Sequence, residues 1–248
     1  MLYLLSPSKT MREQGLEKDL PTSLPIFLKQ AKVINQHLSS FSEQELSHWM
    51  KLSPKLASQT YLNIHQFGNQ SQPHGPAILS YTGDVYKGLM AETLTDKQLK
   101  FAQNHVAILS GMYGILKPLD VIQNYRLEMG ISIKIGKATS LYKFWGDTLA
   151  KTISQWAHTP IINLASEEYY SAVGPYLDPQ NTIHIYFREK INGKLQLKSA
   201  FAKKARGLIC RYAIENQLTK ASSLKKFNWE AYQFDASVSD EHNWYFVR

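Results

Sequence analysis

Three short runs of this chain are apolar at nearly every position: Leu2–Leu5, Val106–Leu109 and Pro160–Leu164. A strand with one wet face alternates, whereas a continuous apolar run of four or five residues suits a strand buried in a covered sheet. Helical patterns separate these runs. Thr22–Leu38 carries Ile26, Val33, Ile34 and Leu38 near helical spacing. Ser42 with Glu45 forms a capping box for a helix to Met50, and Ser53-Pro54 opens another towards His65. After a Gly/Pro/Gln-rich loop at Gly68–Pro76, Ala77–Tyr81 reads as a strand and Gly83–Leu89 as a turn and short helix. Thr95–Asn104 and Tyr142–Trp156 read as helices.

Asn192-Gly193 lies between two alternating segments in Thr182–Ala200. Both positions of a type I′ turn need φ > 0, which this pair tolerates, so a β-hairpin is expected. A helix over Ala202–Leu218 follows, and Trp244–Val247 fits a last strand. Buried strands separated by helices, plus one hairpin, predict a mixed α/β (α+β) fold with a largely covered sheet. With no long polar linker or repeat, residues 1–248 are expected to form a single domain.

Cys210 is the one cysteine, which excludes a disulfide framework and points to a reducing compartment. The N-terminal apolar run lacks a basic flank and is too short for a signal peptide, and no segment reaches the about 20 apolar residues of a membrane span. A cytoplasmic protein with no membrane partner is expected. The eight histidines are scattered, with no H-x-x-x-H or H-E-x-x-H pair, so neither a bound metal nor another cofactor is expected.

Charge is strongly localised. Residues 198–226 carry eight basic side chains and one acid, Glu215, in a chain whose net charge is +8. Lys203, Lys204 and Arg206 open the expected helix, where the macrodipole disfavours cations by roughly 0.3–1 kcal/mol each. A phosphate there would reverse the sign of that effect, and acidic neighbours could neutralise it instead. Arg211 continues the basic face, while Cys210 falls near the apolar face and reads as packing.

Leu109–Asp120 places Gly111 and Gly114 between apolar residues, a tight turn able to present N–H groups to phosphate with Lys117 nearby. It is similar to the hairpin of helix-hairpin-helix motifs, although their glycines stand two apart; a turn needed only for packing fits equally. Ser6-Pro7-Ser8-Lys9 has an S-x-x-K spacing without the S-D-N and K-T-G partners of acylating enzymes. Asp84, Glu128 and Asp147, with Ser6, are the polar residues that could line a pocket. Two carboxylates would have to converge for acid–base work, and ion pairing with residues such as Arg126 is the ordinary alternative.

Eight ordered blocks resemble the YaaA peroxide-stress protein family. They are Ser6–Thr10, Gly83–Leu89, Leu109–Asp120, Tyr125–Gly130, Leu141–Asp147, Ile162–Tyr169, Ala202–Gly207 and Tyr232–Asp235. The family more often has Ala at the position of Ser8. The resemblance implies one α/β domain and a part in limiting iron-driven oxidative damage. It also implies binding of double-stranded or branched DNA, with weak sequence preference, through a basic cleft and a helix-hairpin-helix-like element. It carries no established reaction and no catalytic residue. On that reading Lys203, Lys204, Arg206 and Arg211 form a phosphate-contacting wall, joined by Lys9, Lys117 and Arg126. The competing reading is an enzyme acting on a phosphorylated or nucleotide-like small molecule, with Lys9, Arg126 and Lys203 holding the anion and Asp84 or Glu128 as acid or base. A pocket of about 300–1,000 Å³ lined by these residues would favour it.

Overall fold

The computed structural model describes residues 1–12, 21–69, 74–156 and 160–248. The first apolar run forms β1 (Leu2–Leu5), buried throughout. Helix α1 (Leu28–Leu38) begins later than the apolar pattern suggests: Leu24 and Ile26 precede it and stay exposed, and Ala31, Ile34 and Leu38 make the buried stripe. The capping box opens α2 (Glu43–Met50), with Ser42 and Glu45 exchanging both bonds, and α3 (Pro54–His65) starts with proline at its first turn.

Residues 70–73 of the Gly/Pro/Gln-rich loop lie outside the described residues. Strand β2 (His74–Pro76) follows. Ala77–Tyr81, expected as a strand, is instead the one-turn helix α4 (Ala77–Ser80), with Tyr81 in an isolated bridge to Met11. All four helix residues are buried, Ser80 with its hydroxyl bonded to the Pro76 carbonyl, so the segment is covered on every side and its periodicity could not separate helix from strand. Next come α5 (Asp84–Leu89), α6 (Asp96–His105) and β3 (Val106–Ser110). The glycine turn then joins β3 to β4 (Gly114–Leu116), which pair antiparallel. This segment therefore runs strand–turn–strand, not as a hairpin between two helices.

Strand β5 (Val121–Gln123) pairs with β2 in a separate two-stranded sheet. The helix expected over Tyr142–Trp156 is broken into α7 (Leu141–Trp145) and α8 (Thr148–Trp156). Gly146 between them has φ 50° and ψ −134°, a conformation only glycine adopts readily. Strand β6 (Ile161–Asn163) leads to α9 (Glu167–Tyr170). The hairpin of β7 (Thr182–Ile191) and β8 (Lys194–Gln196) turns at Asn192 and Gly193, both with positive φ as expected. Helix α10 (Ser199–Glu215), β9 (Gln233–Phe234) and β10 (Asn243–Val247) complete the chain.

The main sheet has the order β4-β3-β1-β6-β7-β10-β9, with β8 on β7. Its five central strands, β3 to β10, are parallel, and antiparallel pairs flank them. Parallel strands need covered faces, which is why β1, β3 and β6 are buried at every position and apolar up to their last residues. The buried side chains of sheet and helices join in one core, a mixed α/β single domain. Helix α10 packs chiefly on α5, then on β7 and α6. Among the described residues no helix is long and apolar enough to cross a membrane.

Candidate functional site

The carboxyl ends of the parallel strands β1, β3 and β6 lie side by side, the place where open α/β sheets hold ligands. Ser6, just past β1, accepts the Ser166 N–H at 2.8 Å through its hydroxyl oxygen and donates to the Ser166 hydroxyl at 3.2 Å. The Tyr86 hydroxyl donates to the Ser6 carbonyl at 3.0 Å. At the end of β3, Ser110 Oγ, Tyr125 OH and Tyr81 OH form a buried chain with 2.7 Å links, and Ser110 Oγ also accepts the Tyr113 N–H at 3.0 Å. Burial pushes the Tyr125 phenol up to about 12 and holds Tyr81 and Tyr86 well above their ordinary range. These are neutral hydrogen-bonding groups at physiological pH, unsuited to act as bases.

Close backbone approaches bind the loops together. A β-carbon on Gly83 would stand 2.3 Å from Ser8 Oγ, and one on Gly111 would stand 2.6 Å from the Leu127 carbonyl oxygen. Gly130 donates its N–H to Glu168 at 3.0 Å, and the Tyr142 hydroxyl donates to the Glu168 carbonyl at 2.9 Å. Segments scattered from residue 6 to residue 169 thus meet at one edge. Sequence reasoning missed the tyrosine chain, Ser110 and Ser166; alternation and charge do not mark phenols that face inward from loops.

Each of the pocket carboxylates has a lysine partner. Glu128 pairs with Lys9 at 2.6 Å, Asp84 with Lys87 at 3.3 Å, and Asp147 with Lys151 at 2.7 Å on α8. Ordinary ion pairing accounts for all three. Among the described residues no three His, Cys, Asp or Glu side chains are placed to hold a metal ion.

The expected basic wall is also divided. Lys203 is exposed, but Lys204 is ion-paired with Glu230. Arg211 pairs with Glu215 at 2.8 Å and donates to the Leu89 and Met90 carbonyls, so it caps the end of α5. Lys117 sits at the opposite, amino end of the sheet beside Leu2 and Val106, its ammonium 4.9 Å from the Trp156 ring. It cannot join Lys9, which follows the carboxyl end of β1. Carboxylates brought in by folding (Glu230 from the loop before β9, Glu128 from the loop after β5) explain the difference.

Arg206 is half-buried and makes no ion pair or hydrogen bond among the described residues. Burial first, and then the neighbouring Arg188, lower its pKa. Arg188 lies on β7, its guanidinium 5.4 Å from the Tyr186 ring and 5.6 Å from the Tyr245 ring. Tyr186 and Tyr245 are in cross-strand register and stack at 4.9 Å. The alternation of His184, Tyr186 and Arg188 along β7 is the sequence signal that places them on one sheet face.

Residues 1–238 match the family model described as peroxide stress protein YaaA. A UPF0246 protein of Colwellia psychrerythraea is 40% identical, covering 100% of this chain and 99% of its own length. Similar proteins occur in Neisseria meningitidis serogroup B, at 37% identity over 100% of this chain and 98% of its own, and in Francisella tularensis subsp. novicida, at 39% over 100% of both. With most of its length matched by the family model and all of it by these relatives, the chain belongs to the peroxide stress protein YaaA family.

Proposed function

We propose that this peroxide-stress protein binds DNA, double-stranded or branched and with weak sequence preference, and in doing so helps limit iron-driven oxidative damage to it. The observation that carries this reading is Arg188 set over the stacked Tyr186 and Tyr245 rings, with half-buried Arg206 within its electrostatic reach and neither arginine in an ion pair among the described residues. Like charges in a partly desolvated place repel, and a phosphate bound beside them would turn that repulsion into charge-assisted hydrogen bonding. Exposed Lys203 extends the patch one turn along α10, and the Arg-capped Tyr186–Tyr245 stack offers a flat aromatic surface beside it. Phosphate contacts of this kind set affinity without reading bases.

The test is fluorescence anisotropy with a duplex and a four-way junction over a salt series. Each neutralised phosphate contributes about 0.9 to the log–log salt slope, so Arg206→Ala combined with Lys203→Ala should flatten the slope by about 2 and weaken unrelated sequences alike. Lys117→Ala, at the other end of the sheet, should change neither quantity. Wild-type affinity and slope in the double variant would refute this placement of the interface.

A further inference from the structure

A groove of about 470 Å³ runs between α3 and the loops that follow β1 and β5, within the range of small-ligand sites. Among the described residues its charged lining consists of Lys9 and Arg126, both positive, with no carboxylate. Arg126 is poorly satisfied. Its Nε is buried without a hydrogen-bond partner, and its Nη1 makes one long bond, 3.4 Å, to the Lys9 carbonyl. A guanidinium offers five donors in a planar fork, and a buried donor left unpaired costs roughly 1–3 kcal/mol. Lys9 is 57% exposed beside it and paired with Glu128, a solvent-screened pair that an arriving anion would compete with. The opposite wall differs: it is lined by Gln59, whose amide nitrogen donates to Asn63 at 3.0 Å, by Gln66, and by Leu56, which is 43% exposed and apolar.

We propose that this groove binds a nucleoside monophosphate or a phosphorylated heterocycle of that size. The phosphate sits in the Arg126 fork with Lys9 alongside, where two parallel N–H···O bonds match its geometry. The heterocycle lies along α3, its edge against the glutamine amides and its face against Leu56. A free inorganic phosphate would leave that wall unused, so the ring is part of the recognised ligand. The site is separate from the Arg188–Arg206 patch and does not depend on the DNA-binding reading.

Isothermal titration of the full chain with nucleoside monophosphates, the parent nucleosides, inorganic phosphate and a 5′-phosphorylated oligonucleotide tests it. At least one monophosphate should bind with a Kd on the order of 0.1 mM. Its nucleoside and inorganic phosphate should bind at least about tenfold more weakly, and so should the monophosphate to Arg126→Gln, as loss of a charged hydrogen-bond partner implies. Because Arg126 also touches the Lys9 backbone, Gln59→Trp gives a second variant: it fills the groove from an exposed helix position and should abolish the heat of binding. Absence of binding by every monophosphate at about 10 mM, equal binding of inorganic phosphate, or binding indifferent to both substitutions would overturn the proposal. Binding of the oligonucleotide alone would assign the groove to DNA and overturn it too.

Discussion

Gly207 of α10 meets Val85 of α5 backbone to backbone: a β-carbon on Gly207 would stand 1.8 Å from the Val85 carbonyl oxygen. Gly88 makes the reciprocal approach, its missing β-carbon 2.1 Å from the Lys204 carbonyl oxygen. Gly83, the residue just before α5, is itself pressed onto Ser8. The glycine crossing therefore fixes the cationic helix to the loop after β1, and Arg206 is positioned next to one of the glycines that make it.

Gly207→Ala should destabilise the protein although alanine favours an exposed helix by about 1 kcal/mol. The clash is with backbone, which cannot rotate away, and overpacking of this kind costs about 1–3 kcal/mol. The net loss, up to about 2 kcal/mol, corresponds to a Tm lower by up to roughly 4–8 °C for a chain of this size. Thermal unfolding followed by circular dichroism measures it; a Tm equal to or above wild type would show that the crossing can open freely.

Ser110→Ala should lower unfolding stability by about 1–3 kcal/mol. The hydroxyl accepts the Tyr113 N–H and links to Tyr125, and all three residues are buried. Without it the amide loses its acceptor and the tyrosine chain ends early. Urea titration reads the effect as a lower midpoint at an unchanged slope.

His184 should make stability fall on mild acidification. Asn163 Oδ1 accepts the Ala165 N–H, so its amide nitrogen faces His184 Nδ1 at 3.0 Å and that ring atom must accept. The neutral tautomer satisfies this; a proton on Nδ1 would oppose two donors. Burial, aided by His242 and opposed by Glu167, lowers the pKa. Between the folded value and the ordinary value of about 6.5 the unfolded chain binds more protons, so stability drops as pH falls through that window and levels off below it. Denaturant midpoints from pH 8 to 5 should show this slope, and His184→Gln should flatten it.

Cys210 should be inert in the folded protein. The thiol is fully buried and burial raises its pKa to about 12, so almost no thiolate exists at neutral pH. Alkylation by iodoacetamide and oxidation by hydrogen peroxide should both wait for unfolding in urea. Rapid modification of the native protein, followed by mass spectrometry, would give this thiol a sensing role.

Much of the fold is legible along the chain because the responsible forces are local. The Ser42–Glu45 box, the Asn192-Gly193 turn and the apolar runs of β1, β3 and β6 each rest on neighbours a few residues away. Ala77–Ser80 was not legible, since a segment buried on all sides has no period to read. The break at Gly146 was missed because the apolar pattern continues across it. The candidate sites were legible only in part. Lys203 and Arg206 carry the charge that their composition announces, but Lys9, Lys204 and Arg211 are each met by a carboxylate.

The amino-acid order by itself determined the buried strands β1, β3 and β6, the capped helix α2, the Asn192-Gly193 hairpin and an excess of cations near residues 198–226. Arg211 meets Glu215 one helical turn away, a pairing the sequence spacing allows, but tertiary structure alone decided the longer-range ones. Glu230 reaches Lys204 from 26 residues away, and Glu128 reaches Lys9 across more than a hundred. Pairing depends on distance in space, which strand order and helix crossing set; the number of intervening residues says nothing about it.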